Sequence, residues 1–165
     1  MATARELLGS ASEALRTMRD ADVPEVVAIE RSSYQFPWSE GIFRDCLRVG
    51  YTCRVGVLGR QVVGYGVMSV GAGEAHILNL CVGEEFRCRG LGGRLLTLLI
   101  ERAAAAGMKE AFLEVRPSNT TAIRLYLAHG FEQVGTRRGY YQAAGGREDA
   151  AVLRLALRAS RARSG

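Results

Sequence analysis

Apolar positions follow two rhythms along this chain, and the switches between them, punctuated by glycine and proline, mark out its elements. After a frayed start, Asp22-Val-Pro-Glu25 has the spacing of a capping box. Pro24 falls in the first turn, where its missing N–H costs little, so a helix is predicted over about Val23 to Ser33. Phe36-Pro-Trp-Ser39 breaks the chain, and Ser39 can cap a second short helix that buries Ile42, Phe43, Cys46 and Leu47. From Tyr51 to Leu58 and from Gln61 to Val70 the sequence turns β-branched and apolar about a Gly59-Arg60 hairpin turn. A third strand, Ala75 to Val82, follows. Helical spacing returns with Leu95, Leu98, Leu99 and Arg102, which predicts a helix over Leu91 to Ala106 stopped by Gly107. Glu110 to Arg116 reads as a short strand ended by Pro117, and Thr120 to His129 as a helix stopped by Gly130. Phe131 to Tyr141 and Glu148 to Leu157 form a closing hairpin.

That order, ααβββαβαββ, puts hairpins first and helical crossovers later. It implies an α/β (α+β) fold with a mixed, mostly antiparallel central sheet and helices on both faces. A length of 165 residues with 48% hydrophobic content fits one globular domain, taken as residues 16–157. A flexible N-terminal extension, 1–15, precedes it and a basic tail, 158–165, follows. The tail carries Arg158, Arg161 and Arg163 and no acid, so three of the five net positive charges sit there, which suits a solvated end better than a nucleic-acid surface. Cys46, Cys53, Cys81 and Cys88 form no CxxC pair, and His76 and His129 lie in no ligand spacing with them, so no metal is expected. With no signal-peptide core and no apolar run of membrane-spanning length, the expectation is a soluble, cytoplasmic, thiol-reduced protein. It is expected to be a monomer or weak dimer, with no membrane and no direct nucleic-acid partner.

The chemistry concentrates in FRCRGLGGRLL, Phe86 to Leu96. Gly90, Gly92 and Gly93 miss the register of a dinucleotide-binding fingerprint, and no Gly-Lys-Ser/Thr ending makes a P-loop. What remains is R-x-x-G-x-G, Arg87 to Gly92, set after a strand and opening a helix. Free backbone N–H groups and the positive end of the helix dipole converge there, which suits a diphosphate; a glycine-rich helix start with solvated arginines is the alternative.

The element order, the Arg-Cys-Arg-Gly-Leu-Gly turn, the strand Phe112-Leu-Glu-Val-Arg116, and Asn119 followed by Leu125-Tyr-Leu-Ala-His-Gly-Phe131 together resemble the GNAT superfamily of N-acetyltransferases. The resemblance spans roughly Arg16 to Leu157. Within it, FPWSE at Phe36 to Glu40, LEVRPSNTTAIRLY at Leu113 to Tyr126, RRGYY at Arg137 to Tyr141 and GREDA at Gly146 to Ala150 look like the RimI-type enzymes, which acetylate the N-terminal alanine of a small-subunit ribosomal protein. Gly83 and Cys81 depart from that pattern, which usually has Asp and a small apolar residue there.

The resemblance implies acetyl-coenzyme A as cosubstrate. Leu80, Cys81 and Val82 would pair with its pantetheine arm, and Arg87, Cys88, Arg89, Gly90, Leu91, Gly92 and Gly93 would surround its diphosphate. Asn119 would touch it past the strand, although a turn or helix-cap role suits such an Asn equally. Glu114 is the candidate base, against a structural ion pair with Arg116 or Arg87, and Tyr126 the candidate acid for the departing thiolate, against an ordinary core tyrosine. Acceptor contacts are sought in Phe36 and Trp38 and in Tyr140, Tyr141, Glu148 and Asp149; capping the core and solvating a hairpin are the bland alternatives. Cys88, between two arginines, raises an acetyl-cysteine route, but no histidine lies near it in sequence and the resemblance implies direct transfer. The acceptor is then a protein N-terminus, and the resemblance implies that of a ribosomal protein. Two rivals stand beside it: a lysine or small-amine acetyltransferase on the same fold, and a non-catalytic acyl-coenzyme A or RNA-binding module.

Overall fold

The computed structural model describes residues 13–158. Residues 1–12 of the expected extension and 159–165 of the expected tail lie outside them. Among the described residues seven strands, numbered in chain order, hydrogen-bond in the order 1-2-3-4-5-7-6, and these residues divide into two compact units, 13–68 with 79–96, and 69–78 with 97–158.

In the first unit, β1 (Glu13–Thr17) pairs antiparallel with β2 (Thr52–Leu58), Glu13 opposite Leu58 and Thr17 opposite Arg54. The sequence predicts a frayed segment here. Its five residues, EALRT, are exposed or half-buried, so an edge strand formed only by long-range pairing shows no apolar alternation. A 3-10 turn, Asp20–Asp22, leads into α1 (Val23–Ser33). The expected capping box over Asp22 and Glu25 does not form. Asp22 instead accepts the Arg19 N–H at 2.8 Å, and Glu25 accepts the Val62 N–H at 2.9 Å across the fold. Ser39 does cap α2 (Glu40–Arg48), its hydroxyl accepting the Ile42 N–H at 3.3 Å. The helix buries Phe43 and Cys46 and packs Leu47 half-buried beside them, but leaves Ile42, in its first turn, exposed.

β2 turns at Gly59 (φ 62°) into β3 (Gln61–Gly71), as the hairpin signal predicts. β3 is buried on both faces, and a bulge at Val63, opposite Gly56 and Val57, shifts the alternation with which its residues feed two clusters. Val62, Tyr65 and Val67 pack with α1 and α2, while Val63 joins Leu58, Phe86, Leu91 and Leu95. Helices therefore cover both faces of this part of the sheet. Phe43 is fully buried, edge-on to Tyr65 at 5.5 Å and beside Trp38 at 5.3 Å; burying such a ring is worth roughly 1.5–3 kcal/mol.

β4 (Glu74–Val82) begins in the second unit and ends in the first; α3 (Leu91–Ala105) does the reverse. Within the second unit, Glu74–Ile77 of β4 pair in parallel with Glu110–Leu113 of β5 (Glu110–Val115). β5 pairs antiparallel with β7 (Gly146–Ala156), which pairs antiparallel with β6 (Glu132–Ala143). Between β5 and β6 lies α4 (Thr120–Ala128). Among the described residues, no helix is long and apolar enough to cross a membrane.

Candidate active site

The first unit supplies a loop shaped for an anion. After β4 a 3-10 turn, Glu84–Phe86, carries the chain to Arg87, and Cys88 and Gly90 then take left-handed conformations, φ 62° and 80°. Left-handed residues on either side of Arg89 swing successive N–H groups toward one side, the geometry of an anion nest. For Gly90 that conformation is free of Cβ strain; for Cys88 it costs about 1–2 kcal/mol, a local cost of the kind found at ligand sites. The first helical hydrogen bond of α3 runs from the Arg94 N–H to Gly90 O at 3.1 Å, so the N–H groups of Leu91, Gly92 and Gly93 lie ahead of it at the positive end of the helix.

Close packing fixes the head of that helix. A Cβ on Gly56 would lie 3.0 Å from Leu91 Cδ1, and one on Gly64 3.0 Å from the Cys81 carbonyl and 3.2 Å from Leu95 Cδ1. These two bare positions let the helix seat on the sheet beside the end of β4. Arg87, expected among the diphosphate ligands, directs its Nε–H to the Val82 carbonyl at 2.9 Å and Nη2 to Ser33 Oγ at 3.1 Å. Its charge therefore stands beside the loop while its donors brace the strand. Leu80 O accepts the Tyr34 hydroxyl at 3.4 Å, and Cys81 is buried with its side chain in the core. Trp38 is half-buried on the same core, whereas Phe36 is 40% exposed. Cys88 is exposed.

The second unit holds the titratable candidates. On β5 the even residues alternate with buried Ala111, Leu113 and Val115, and Glu114 keeps 15% of its side-chain surface exposed. Its Oε1 lies 3.2 Å from Nε of Arg137 on β6, a partner the sequence reading did not identify, having weighed Arg116 and Arg87. Only the cross-strand register could have pointed to it. Arg116 instead stacks its guanidinium 4.4 Å over the Tyr141 ring and stands 3.6 Å from Glu148. Glu148 accepts the Ser118 hydroxyl at 2.8 Å and the Ser118 N–H at 3.2 Å, bonds that hold its carboxyl below the usual carboxylate range. Burial, then neighbouring Tyr140 and Glu114, push the Tyr141 hydroxyl up, so it stays protonated. Tyr140 meets Tyr141 edge-on at 4.8 Å.

Asp149 serves the backbone. Arg137 pairs with Ala150 and Tyr141 with Glu148, so Arg138, Gly139 and Tyr140 bulge opposite Asp149 alone. Its Oδ1 accepts the Gly139 N–H at 2.8 Å. Asn119 likewise caps α4, its Oδ1 accepting the Ala122 N–H at 3.2 Å.

Tyr126 is held by the end of its own helix. Gly130 (φ 93°) donates to Leu127 O and Phe131 N–H to Tyr126 O, the paired bonds of a Schellman cap, with the Tyr126 and Phe131 rings 5.8 Å apart as its apolar contact. Tyr126 is 7% exposed. Among the described residues, no group of three or more His, Cys, Asp or Glu is placed to hold a metal ion.

The sequence profile of the Acetyltransferase (GNAT) family matches residues 13–131. The chain is 32% identical over 143 residues to the [ribosomal protein bS18]-alanine N-acetyltransferase of Escherichia coli strain K12, covering 87% of this chain and 97% of that one. It is 35% identical over 136 residues to the enzyme of the same name from Salmonella typhimurium, covering 82% and 92%. The crystal structure of the ribosomal-protein-S18-alanine N-acetyltransferase from Escherichia coli superposes with a TM-score of 0.82 at 32% identity, covering 88% of this chain and 94% of that one.

Proposed function

The chain belongs to the GNAT family of acetyltransferases, an acetyl-coenzyme A-dependent class, and from that premise we propose that it acetylates the N-terminal α-amine of a protein, with the alanine terminus of a small-subunit ribosomal protein as acceptor. The names of its 32–35% identical relatives support the acceptor. The observation that carries the cosubstrate is the pair of left-handed residues, Cys88 and Gly90, at the head of α3, a cradle of main-chain N–H groups suited to a diphosphate.

Acetyl-coenzyme A supplies a thioester. The N–H groups of Cys88 to Gly93 take its diphosphate, beside the charge of Arg87 and Arg89. The backbone of Leu80 to Val82, beyond the four-residue ladder of β4 with β5, pairs with the pantetheine amides. Asn119 meets the coenzyme past β5. Glu114, a mostly buried carboxylate, accepts the proton of the attacking amine directly or through water. Nitrogen attacks the thioester carbonyl, the C–S bond breaks, and the Tyr126 hydroxyl protonates the departing thiolate. An α-amine, with a pKa of about 7.7–8.0, already holds a useful neutral fraction at neutral pH, so a carboxylate neighbour of Arg137 is base enough; a lysine amine near 10.4 asks far more. Phe36 and Trp38, and separately Tyr140 and Tyr141, offer aromatic contacts to the acceptor, and Glu148 and Asp149 supply negative charge for the ammonium or a basic peptide.

The test is mass spectrometry after incubation with acetyl-coenzyme A and three acceptors: alanine-starting peptides, N-terminally blocked lysine peptides and polyamines. Acetylation of the first is expected. Modification of the lysine peptides or polyamines alone would overturn the reading.

A further inference from the structure

One buried carboxylate has no part in the chemistry above. Glu30 lies on the last turn of α1, is 3% exposed, and is one of two buried charged residues among the described ones. A helix C-terminus disfavours negative charge, and burial disfavours it further. Burial accordingly raises its carboxyl above the usual carboxylate range. An apolar side chain at this position would avoid both costs.

What the carboxylate does is join three segments. The Tyr65 hydroxyl on β3 donates to Oε2 at 2.6 Å, and Asn79 Nδ2 on β4 donates to both oxygens at 3.1 and 3.0 Å. The backbone N–H of Trp38, in the chain between α1 and α2, is a further donor to it. Asn79 directly precedes Leu80–Val82, and residues 34–39 are neither helix nor strand. Every partner belongs to the first unit. Tyr65 is fully buried, so it anchors the carboxylate, and the carboxylate in turn ties the loop to the strand.

We infer that Glu30 is a positioning residue, setting the register between the Trp38 loop and the Leu80–Val82 strand and thereby how well an acceptor peptide fits. The inference rests on the proposed role of that loop in contacting the acceptor. Glu30→Gln keeps the shape but turns one acceptor oxygen into a donor. Asn79 can invert its amide to answer the change, whereas the Trp38 N–H cannot, so the loop is the part that loosens.

Trp38 is the sole tryptophan, so its fluorescence reports the loop without any acceptor present. In Glu30→Gln the acrylamide quenching constant is expected to rise about twofold and the KM for an alanine-starting peptide about tenfold, the loss of one buried hydrogen bond. The kcat and the calorimetric Kd of acetyl-coenzyme A should stay within about threefold of the parent, since neither depends on the loop. Unchanged quenching and KM in a folded Glu30→Gln protein would overturn the inference, as would a parallel loss of coenzyme affinity, kcat and KM, the mark of general damage. Should Glu30→Gln fail to fold, Asn79→Ala, at a half-buried site, is read by the same two measurements, and unchanged values overturn it. If the parent acetylates no alanine-starting peptide, the proposed acceptor fails while the quenching comparison still decides this point.

Discussion

Replacing Glu114 by Gln removes one charge and little else. The side chain keeps its volume, and the lost attraction is to an Arg137 guanidinium 3.2 Å away whose side chain is 56% exposed. Solvent screens such a pair, so the stability cost is at most about 1 kcal/mol and the fall in Tm a few degrees. The catalytic cost is set by another scale: loss of a positioned base lowers rate by about 10²–10⁴, roughly 3–5 kcal/mol of barrier. The two magnitudes separate a base from a merely structural carboxylate. The dependence on pH separates them further. Without Glu114 the reaction uses only amine already neutral in solution, and for an α-amine that fraction grows about eightfold between pH 7 and 9, against about a hundredfold for lysine. The ratio of variant to parent kcat/KM should therefore climb by up to about that eightfold over this range with an alanine-starting peptide. Released coenzyme thiol followed by a chromogenic disulfide at saturating acetyl-coenzyme A gives kcat/KM at each pH. A variant within threefold of the parent at pH 7, or two parallel profiles, would refute Glu114 as the base.

Gly90→Ala adds a Cβ that meets nothing within 4 Å, so its whole cost is the left-handed backbone, about 1–2 kcal/mol. Part of that strain is relieved by opening the nest, and the Kd of acetyl-coenzyme A by calorimetry should rise about tenfold or more; an unchanged Kd would place the diphosphate elsewhere. Asp22, 4% exposed, takes two bonds from Arg16 at 2.7 and 2.8 Å, and these lower its carboxyl below the ordinary range. A lowered folded-state value means stability that is complete above the unfolded pKa, about 3.9, and lost as pH falls through the folded one. Asp22→Asn should cost about 1.5–3 kcal/mol at pH 7 by thermal or urea denaturation, with the deficit shrinking below about pH 4. An equal deficit at both pH values would mean that charge plays no part.

The elements most legible in the sequence are those fixed by neighbours. Gly59, Gly107 and Gly130 each stop or turn the chain where the pattern places them, because a left-handed residue is a local demand and glycine answers it locally. Ser39 caps its helix for the same reason. The strand Glu13–Thr17 was not legible, since it exists only through pairing with residues some forty positions away and has no buried face to betray it.

The carboxylates fail in the same way, and more instructively. Glu25 satisfies Val62, Glu30 joins Tyr65 to Asn79, Glu114 meets Arg137, and Asp149 closes a bulge at Gly139. Three of them have a local reading in the sequence, Glu25 as part of a cap, Glu114 as a partner of Arg116 and Asp149 as a solvated charge on a hairpin, while Glu30 has none. Each is bound instead to a donor ten to forty-nine residues away. A carboxylate accepts from any N–H or O–H that the fold brings near, so its partner is a property of topology, which periodicity does not encode. Glycine is read well because its signal is conformational. Cys88 is the instructive exception: a non-glycine residue held left-handed against its own preference, beside three glycines, at the head of the helix where the anion is expected. There the local rule breaks where the proposed ligand would reward the break, and the glycine-rich motif around it, not Cys88 itself, made the place visible in the sequence.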